Sequence, residues 1–393
     1  MGGVRESKEI RLGSAVVVLA AFLSRASEEG SIEMELFTGA YGDNLQAEGA
    51  ADRNRSMQNA LDGFMNGLTG ADRAALERVA LTVVALEDTQ ERAWAGHRQN
   101  EVHYSGSMVK LLAMYAAHTL RFFSRQLILE QHPPSSDAFF LGLESAFNGK
   151  IRQKTPSKIT LQHGSDDAKI VPDYRTVLEP QLDASGRPVG VEFTFGYRTQ
   201  LREMLLQQQN AGAAASIHGV AFGFMNAKAG DDGFFREPAQ QGIWLAGDYL
   251  GQWTAVRIAS TNDGQVAQAT TTVDMARLVT RMFDGSLESG SPTDLVQMLA
   301  GGGRSWFHRE LLWPNGGLSA THSKIGIGPL KPNSAGVVHK VVSEALKVHD
   351  GNRDLDFVVV WQNLKVPADP TRAELERVSR MVEATVNGFL PTV

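Results

Sequence analysis

A serine and a lysine three residues apart are the side chains in this sequence best suited to covalent chemistry. They occur in Ser107-Met108-Val109-Lys110, and three residues is just under one helical turn, so Ser107 and Lys110 share a helix face. The following residues, LLAMYAA, are apolar on nearly every side, which predicts a buried helix. Burial disfavours a charged lysine and lowers its pKa. Such an amine can accept the serine proton and make the hydroxyl oxygen a nucleophile.

The Ser-x-x-Lys spacing by itself is a weak signal, because many chains contain it by chance. The alternative interpretation is a serine that caps the helix and a lysine that extends to solvent. Gly106 suits a tight turn before the serine, and a serine at a helix start has a free backbone N–H that can stabilise an oxyanion. Both interpretations stay open on these residues alone.

Composition and missing motifs limit the other classes of function. The 393-residue chain has 42% hydrophobic and 21% charged residues, as globular proteins do, and its net charge of −6 gives nucleic acid no basic surface. The absence of cysteine excludes thiolate nucleophiles, zinc–cysteine sites and iron–sulfur clusters. There is no HExxH, phosphate-binding loop or GxSxG, and the ten histidines form no recognisable metal pair. We therefore expect neither a metal nor an organic cofactor, and no nucleic-acid partner.

An apolar run near the amino terminus bears on the compartment. Residues 12–23 are too short to span a bilayer as a helix, and Ser24-Arg25-Ala26 places small residues where a signal peptidase cuts. We expect residues 1–26 to be a secretory leader, and hence a periplasmic or secreted protein. The alternative is a terminal helix or strand of the mature fold in a cytoplasmic protein. No later stretch is long and apolar enough to form a transmembrane helix.

The elements that must position the serine and lysine follow from hydrophobic periodicity and turn residues. Residues 131–192 contain six prolines among polar residues and predict loops with short elements. Strands are predicted at 80–86, 92–97, 318–327, 336–348 and 355–364, and helices near 55–68, from near Ser107 to about Phe123, and at 199–209, 211–225, 270–283, 293–300 and 370–389.

Several ordered segments resemble one family. HYSGSMVKLLAMYAA, preceded by the strand pair ALTVVALEDTQERAWAGHRQ, resembles the active-site serine region of class A β-lactamases and penicillin-binding D,D-peptidases. GQVAQATTTVDMARLVTRMFDGSL resembles the threonine-capped helix after that family's omega loop. His322-Ser323-Lys324-Ile325-Gly326 resembles its Lys-Thr-Gly strand. The resemblance covers about residues 78 to 393 and is to a divergent serine hydrolase of this superfamily.

The resemblance implies an α/β plus all-α fold. An antiparallel five-stranded sheet is flanked by helices, with a helical domain inserted. The implied parts are an amino-terminal extension at 27–77, a sheet domain at 78–128 and 318–393, and a helical domain at 129–317 with inserted loops at 131–192.

The resemblance also assigns roles to residues. Ser107 would be the acylated nucleophile, Lys110 its general base or proton relay, and Lys324 a second cationic group on the edge strand. The backbone N–H groups of Ser107 and Ile327 would form the oxyanion hole. Asn210 matches the asparagine of the family's Ser-x-Asn motif, with Gln208 in place of its serine. Substrate-binding positions would be Gln208, Ile325 and Gly326.

Three departures from the family pattern matter. Gln208 replaces the serine of Ser-x-Asn, and an amide is a poor proton relay. Ser260-Thr261-Asn262 fits the motif literally but lies too late in the chain. The family's omega-loop glutamate lies four residues before an asparagine. If Asn262 is the matching asparagine, Ile258 stands at the glutamate position, and the loop offers only Asp248 and Asp263. Ile325 replaces the hydroxyl residue of the Lys-Thr-Gly strand.

These residues predict a serine acyl hydrolase with slow deacylation. The expected substrate is a small or peptide-like molecule with an amide, ester or β-lactam carbonyl, and efficient penicillinase activity is not expected. The alternative is a catalytically weak or inactive binding protein on the same fold. The loop before Thr270 contains three aromatic residues, Trp244, Tyr249 and Trp253. Their side chains could stack on a ligand in the cleft or pack in the core, and the sequence does not decide between these roles. The sequence gives no indication of oligomeric state.

Overall fold

The computed structural model describes residues 36–37, 45, 52–87, 92–164, 166–285, 287, 297, 299, 305–313 and 317–390. The predicted leader and most of the predicted helix at 293–300 lie outside these residues. Residues 36–393 form one compact unit. No helix among the described residues combines the length and the apolar character that a bilayer crossing needs.

Helices occupy both ends and the middle of this unit. They are α1 (Asp52–Gly67), α2 (Gly70–Leu76), α3 (Lys110–Gln131), α4 (Ser136–Lys154), α5 (Ser157–His163), α6 (Asp167–Ile170), α7 (Tyr174–Val177), α8 (Phe195–Leu205), α9 (Asn210–Val220), α10 (Phe222–Asp231), α11 (Thr272–Asp284), α12 (Trp306–Arg309) and α13 (Arg372–Asn387).

The strands occur in groups between these helices, and the three longest are near the carboxyl end. They are β1 (Ala80–Ala85), β2 (Trp94–His97), β3 (His103–Tyr104), β4 (Leu178–Leu182), β5 (Pro188–Phe193), β6 (Phe235–Arg236), β7 (Gln241–Gly242), β8 (Trp244–Leu245), β9 (Ile258–Ser260), β10 (Gly264–Val266), β11 (Gln268–Thr270), β12 (Leu318–Pro329), β13 (Lys340–Asp350) and β14 (Leu355–Val366).

The central sheet has five strands in the order β12-β13-β14-β1-β2, and every neighbouring pair is antiparallel. The pairing of β1 with β14 joins the two amino-terminal strands to the three carboxyl-terminal ones, and β12 and β2 are the two edges. This is the antiparallel five-stranded sheet that the sequence analysis predicts.

Helices cover both faces of this sheet. All six residues of β1 are buried, which requires apolar neighbours on both sides. On one face, α1 and α13 pack their apolar stripes, such as Leu61 and Met381, against Trp361 and its neighbours. On the other face lies α11, where Thr82 of β1 donates to the hydroxyl of Thr272 (2.8 Å).

The helix that carries Lys110 is longer than its sequence predicts. It continues beyond Phe123 to Gln131, because Leu127 and Ile128 maintain the buried stripe. It ends where His132 adopts a left-handed backbone (φ 46°) before two prolines. The 22-residue helix is buried along most of its length and forms the axis of the helical layer.

The segment 131–192 also differs from its prediction as loops with short elements. It contains the 19-residue helix α4, which begins after Ser135, whose side chain accepts the N–H of Ala138. Phe139, Phe147 and Ile151 supply its buried face. Five of the six prolines lie between elements or at the start of one, and Pro180 lies within strand β4, so none interrupts a helix. The segment ends in an antiparallel hairpin of β4 and β5.

Candidate active site

Ser107 lies in a single 3-10 turn, Gly106–Val109, immediately before α3. Gly106 has a left-handed backbone (φ 56°), and a Cβ atom there would approach the backbone of Ile327 to 2.8 Å. A Cβ on Gly326 would approach the carbonyl oxygen of Ser105 to 2.1 Å and the backbone nitrogen of Met108 to 2.8 Å. Only glycine fits at either position, so edge strand β12 lies directly against the serine turn.

Lys110 is the first residue of α3 and is fully buried, with 0% of its surface exposed. Its Nζ donates to Oδ1 of Asn210 (3.0 Å), and no acidic side chain among the described residues forms an ion pair with it. Burial lowers the pKa of Lys110 to about 8. About a tenth of the amine is therefore neutral at pH 7 and able to accept a proton, and this fraction grows as the pH rises.

Asn210 reaches Lys110 because of a sharp change of chain direction. Gln208 has a left-handed backbone (φ 58°) between α8 and α9, and Asn210 is the first residue of α9. The predicted Asn210 and Lys110 are thus in contact, although they are 100 residues apart in sequence. Gln208 lies two residues before Asn210 and is half-buried.

The second predicted cation lies on the strand that touches the serine turn. Lys324 of β12 is buried, and its Nζ donates to the carbonyl oxygen of Ile325 (3.0 Å). Two residues further along β12, Gly326 lies against the backbone of Ser105 and Met108, and Ile327 lies against Gly106. Ser343 of β13 closes this junction by donating to the carbonyl oxygen of Ser105 (2.9 Å).

Tyr249 is a site residue that the sequence analysis names only as one of three aromatic residues in a loop. Its hydroxyl donates to the carbonyl oxygen of Gly106 (3.0 Å), and its ring centre lies 4.4 Å from Nζ of Lys110. Its backbone is left-handed (φ 65°), a strained conformation for a residue with a large side chain. The only sequence signal was its position among three aromatic residues of one loop.

The other two aromatic residues of that loop have different roles. Trp244 is fully buried, and its indole N–H donates to the carbonyl oxygen of Val256 (2.9 Å), as core packing requires. Trp253 is half-buried and stacks on the ring of His218, with centroids 4.0 Å apart.

Neither predicted loop acid contacts Lys110 through a hydrogen bond or an ion pair found among the described residues. The carboxylate of Asp248 accepts the backbone N–H groups of Leu250, Gly251 and Trp253 and contacts His218 (3.1 Å). Burial favours a higher pKa, but these hydrogen bonds outweigh it and lower the pKa of Asp248. Asp263 instead accepts the N–H of Lys331 (2.6 Å). Both acids hold loop backbone in place.

A cavity of about 320 Å³ lies between this loop and the end of β12. Tyr249, which contacts the serine turn and Lys110, is part of its wall, together with Tyr104 and Trp253. Arg257 and Lys331 add positive charge to the rim. Ser107, Lys110 and Lys324 are not among the residues that line this cavity. Within the described part of the chain, no group of three or more His, Asp or Glu side chains is arranged to hold a metal ion.

Comparisons with known proteins found similarity among solved structures. No protein-family model and no curated protein matches the chain. The TLA-3 extended-spectrum β-lactamase aligns with a TM-score of 0.48 and 11% identity, over 85% of this chain and 98% of that one. PBP-A aligns with a TM-score of 0.44 and 13% identity, over 84% and 96%. A class A β-lactamase from Bacteroides cellulosilyticus DSM 14838 aligns with a TM-score of 0.45 and 9% identity, over 86% and 98%.

Proposed function

We propose that this protein is a serine acyl hydrolase, with Ser107 as the nucleophile and Lys110 as its general base. The observation that carries the proposal is the environment of Lys110. The amine is fully buried one helical turn from Ser107, and its hydrogen-bond partner is the neutral amide of Asn210. A buried lysine that serves only stability is expected to pair with a carboxylate. A lysine without one is suited to gain and lose a proton.

The proposed first step forms an acyl-enzyme. Neutral Lys110 takes the proton from Oγ of Ser107 as Oγ bonds to the carbonyl carbon of an amide, ester or β-lactam. The electron pair of the carbonyl π bond moves onto its oxygen. The backbone N–H groups of Ser107 and Ile327 are suited to bind that oxyanion, since β12 lies against the serine turn. The tetrahedral intermediate then collapses and expels the leaving nitrogen or oxygen.

The leaving group needs a proton, and the cations of the site are its proposed source. Protonated Lys110 can return the proton it accepted, and Lys324 adds positive charge from β12. Gln208 cannot relay a proton as a hydroxyl does. A side-chain amide can donate and accept hydrogen bonds, but its N–H is a very weak acid and does not pass its proton on. Substrates whose leaving atom needs little help from an acid are therefore preferred, such as activated esters and strained lactams.

Deacylation is expected to be the slow step. Water must be activated to attack the acyl-enzyme, and the loop residue beside Lys110 is Tyr249, not a carboxylate. Burial raises the pKa of Tyr249 well above its ordinary value, so its hydroxyl stays protonated. Asp248 is occupied by backbone N–H groups. The same observations favour a second candidate function, a binding protein that is catalytically weak or inactive.

A small-molecule or peptide-like substrate and a periplasmic or secreted location complete the proposal, with a cytoplasmic location as the alternative. The apolar run at residues 12–23 supports export.

The test is intact-mass spectrometry after incubation with benzylpenicillin and with a fluorophosphonate. The hydrolase gains one adduct per chain, and the penicillin adduct persists for minutes or longer. Ser107→Ala abolishes both adducts. Ser105→Ala is the matched control. It removes a buried serine hydroxyl two residues away that has no hydrogen-bond partner among the described residues, and it keeps the adducts. An adduct on the Ser107→Ala protein would exclude this nucleophile. No adduct on the wild type with either reagent would favour the binding protein.

A further inference from the structure

Tyr249 touches two separate parts of the candidate active site. On one side, its ring centre lies 4.4 Å from Nζ of Lys110, and its hydroxyl donates to the carbonyl oxygen of Gly106. On the other side, Tyr249 lines the cavity of about 320 Å³ between its loop and the end of β12. Neither Ser107 nor Lys110 lines that cavity. The tyrosine therefore forms a partition between the cavity and the lysine.

The amine of Lys110 is kept from water on the side of this ring. Lys110 has 0% of its surface exposed, although Ser107, one helical turn before it, is only half-buried. Its Nζ donates to Oδ1 of Asn210 (3.0 Å), and the ring of Tyr249 lies against the same amine. Burial is what lowers the pKa of Lys110 to about 8. The ring therefore contributes to the condition that lets the lysine accept a proton.

The loop holds Tyr249 in this position against a backbone preference. Its φ of 65° is one that residues with large side chains rarely adopt. The carboxylate of Asp248, the preceding residue, accepts three backbone N–H groups from the next five residues and so fixes the loop. Backbone strain of this kind persists where the surrounding structure enforces it, and it is concentrated at functional sites.

We infer that the ring of Tyr249 excludes water from the side of the serine turn that faces Lys110, and that it thereby favours acylation of Ser107 and prevents hydrolysis of the acyl-enzyme. This inference rests on the proposed acyl-enzyme. It makes the ring a cause of slow deacylation in addition to the missing loop carboxylate, because Lys110 itself can activate water once water reaches it.

The reaction that the ring prevents is attack of water on the ester carbonyl carbon of acylated Ser107. Neutral Lys110 takes one proton from the attacking water, and the electron pair of the carbonyl π bond moves onto the carbonyl oxygen. That pair returns as the bond between the carbonyl carbon and Oγ breaks, and Lys110 passes the proton to Oγ. The products are a carboxylic acid and free Ser107.

Tyr249→Gly tests the inference, because glycine suits the left-handed backbone and removes the ring. Two effects of opposite sign are expected. The benzylpenicillin adduct, followed by intact mass after free penicillin is removed, disappears at least about tenfold faster, because water reaches Lys110. Fluorophosphonate labelling at pH 7 becomes slower, about tenfold for each unit by which hydration raises the pKa of Lys110. General damage to the site would slow both steps.

Two variants of the same loop are the controls. Tyr249→Phe keeps the ring and the long adduct lifetime. Leu250→Ala shortens an exposed side chain beside the ring and also keeps the lifetime. If Tyr249→Gly does not fold, Tyr249→Asn repeats the test, because asparagine also adopts left-handed backbone. The inference is overturned if the folded variant gains the adduct and keeps the wild-type lifetime, or if Leu250→Ala shortens the lifetime as much.

A second measurement does not need an acyl-enzyme. Titration of ¹⁵N-labelled lysine by NMR shows a higher pKa for Lys110 in Tyr249→Gly than in the wild type, and no such rise in Tyr249→Phe. An equal pKa in the glycine variant and the wild type overturns the role of the ring even if Ser107 is acylated. A raised pKa in a protein that gains no adduct refutes the hydrolase while the exclusion of water by the ring stands.

Discussion

Lys110 and Lys228 are both fully buried, yet their surroundings differ in one respect. Lys228, in α10, lies 2.8 Å from the carboxylate of Asp232, and the hydroxyl of Tyr115 donates to the same carboxylate. Lys110 has the neutral amide of Asn210 at 3.0 Å. Each lysine also approaches an aromatic ring, so the carboxylate is the distinguishing feature.

This difference separates a structural lysine from a chemical one. Burial raises the pKa of Asp232 to about 6, although Lys228 and Tyr115 oppose the rise. Asp232 is still ionised at neutral pH and places a counter-charge beside the buried amine of Lys228. Lys110 has only dipoles to stabilise its charge, and its pKa falls to about 8. The lysine without a counter-charge is the one beside the serine.

Replacing each lysine by methionine gives the largest expected effects. Lys110→Met mainly lowers the acylation rate, and Lys228→Met mainly lowers stability. Lys110→Met lowers the rate of Ser107 acylation by a factor on the order of 10²–10⁴, because the base is lost. Its free energy of unfolding changes by about 1 kcal/mol or less, because removing a desolvated amine offsets one lost hydrogen bond. Lys228→Met costs about 3–5 kcal/mol of stability at pH 7.5, because Asp232 stays buried without its counter-charge.

Fluorophosphonate labelling rates and urea unfolding measure both effects. Per folded molecule, Lys228→Met labels at the wild-type rate. The comparison fails if Lys110→Met destabilises the protein as much as Lys228→Met does, since both lysines would then be structural.

Acylation of the wild type should rise with pH through about 8. Only the neutral amine accepts the serine proton, so the rate follows the deprotonated fraction of Lys110. Asn210→Asp places a carboxylate where the amide oxygen is and raises the pKa of Lys110, because a neighbouring negative charge favours the protonated amine. A rise of about one pKa unit slows labelling at pH 7 about tenfold and moves the rising limb to higher pH.

Asn210→Leu is the control for that shift. It removes the amide acceptor without adding charge, so its rising limb stays in place or moves to lower pH. Identical pH profiles for the Asp and Leu variants would show that Lys110 is not the titrating base.

Tyr249→Phe should give the smallest effect. The ring beside Lys110 remains, but the hydroxyl that donates to Gly106 is lost. One neutral hydrogen bond is worth about 1 kcal/mol, so labelling slows about fivefold with an unchanged pH profile. A loss of 100-fold or more in labelling rate would assign the hydroxyl a part in the chemistry and not in positioning.

The sheet and its flanking helices could be predicted because their patterns are local. The strands at 80–86 and 355–364 are confirmed as Ala80–Ala85 and Leu355–Val366. The closing helix begins at the predicted place, where Thr371 and Glu374 form a reciprocal cap. The helix α4 was not predicted, because six prolines concealed a segment whose own interior contains none.

The candidate site was predictable only in part, for a geometric reason. Asn210 and Lys110 carry recognisable chemistry in their own segments, and the structure brings them into contact. Tyr249 reaches Lys110 only because its own backbone adopts a left-handed conformation, and an ordinary tyrosine in a loop gives no sign of that. The predicted roles of Lys324, Ile325 and Gln208 toward a substrate stay predictions.

The two glycines where β12 meets the serine turn have a consequence for synthesis. Gly106 and Gly326 are 220 residues apart, and each leaves room for the backbone of the other segment. A nascent polypeptide that has emerged only as far as α11 has Ser107 and Lys110 but not the strand that supplies the amide of Ile327. If the hydrolase proposal holds, the protein stays inert on the ribosome, and reaction with a mechanism-based label would report that its last strands have docked.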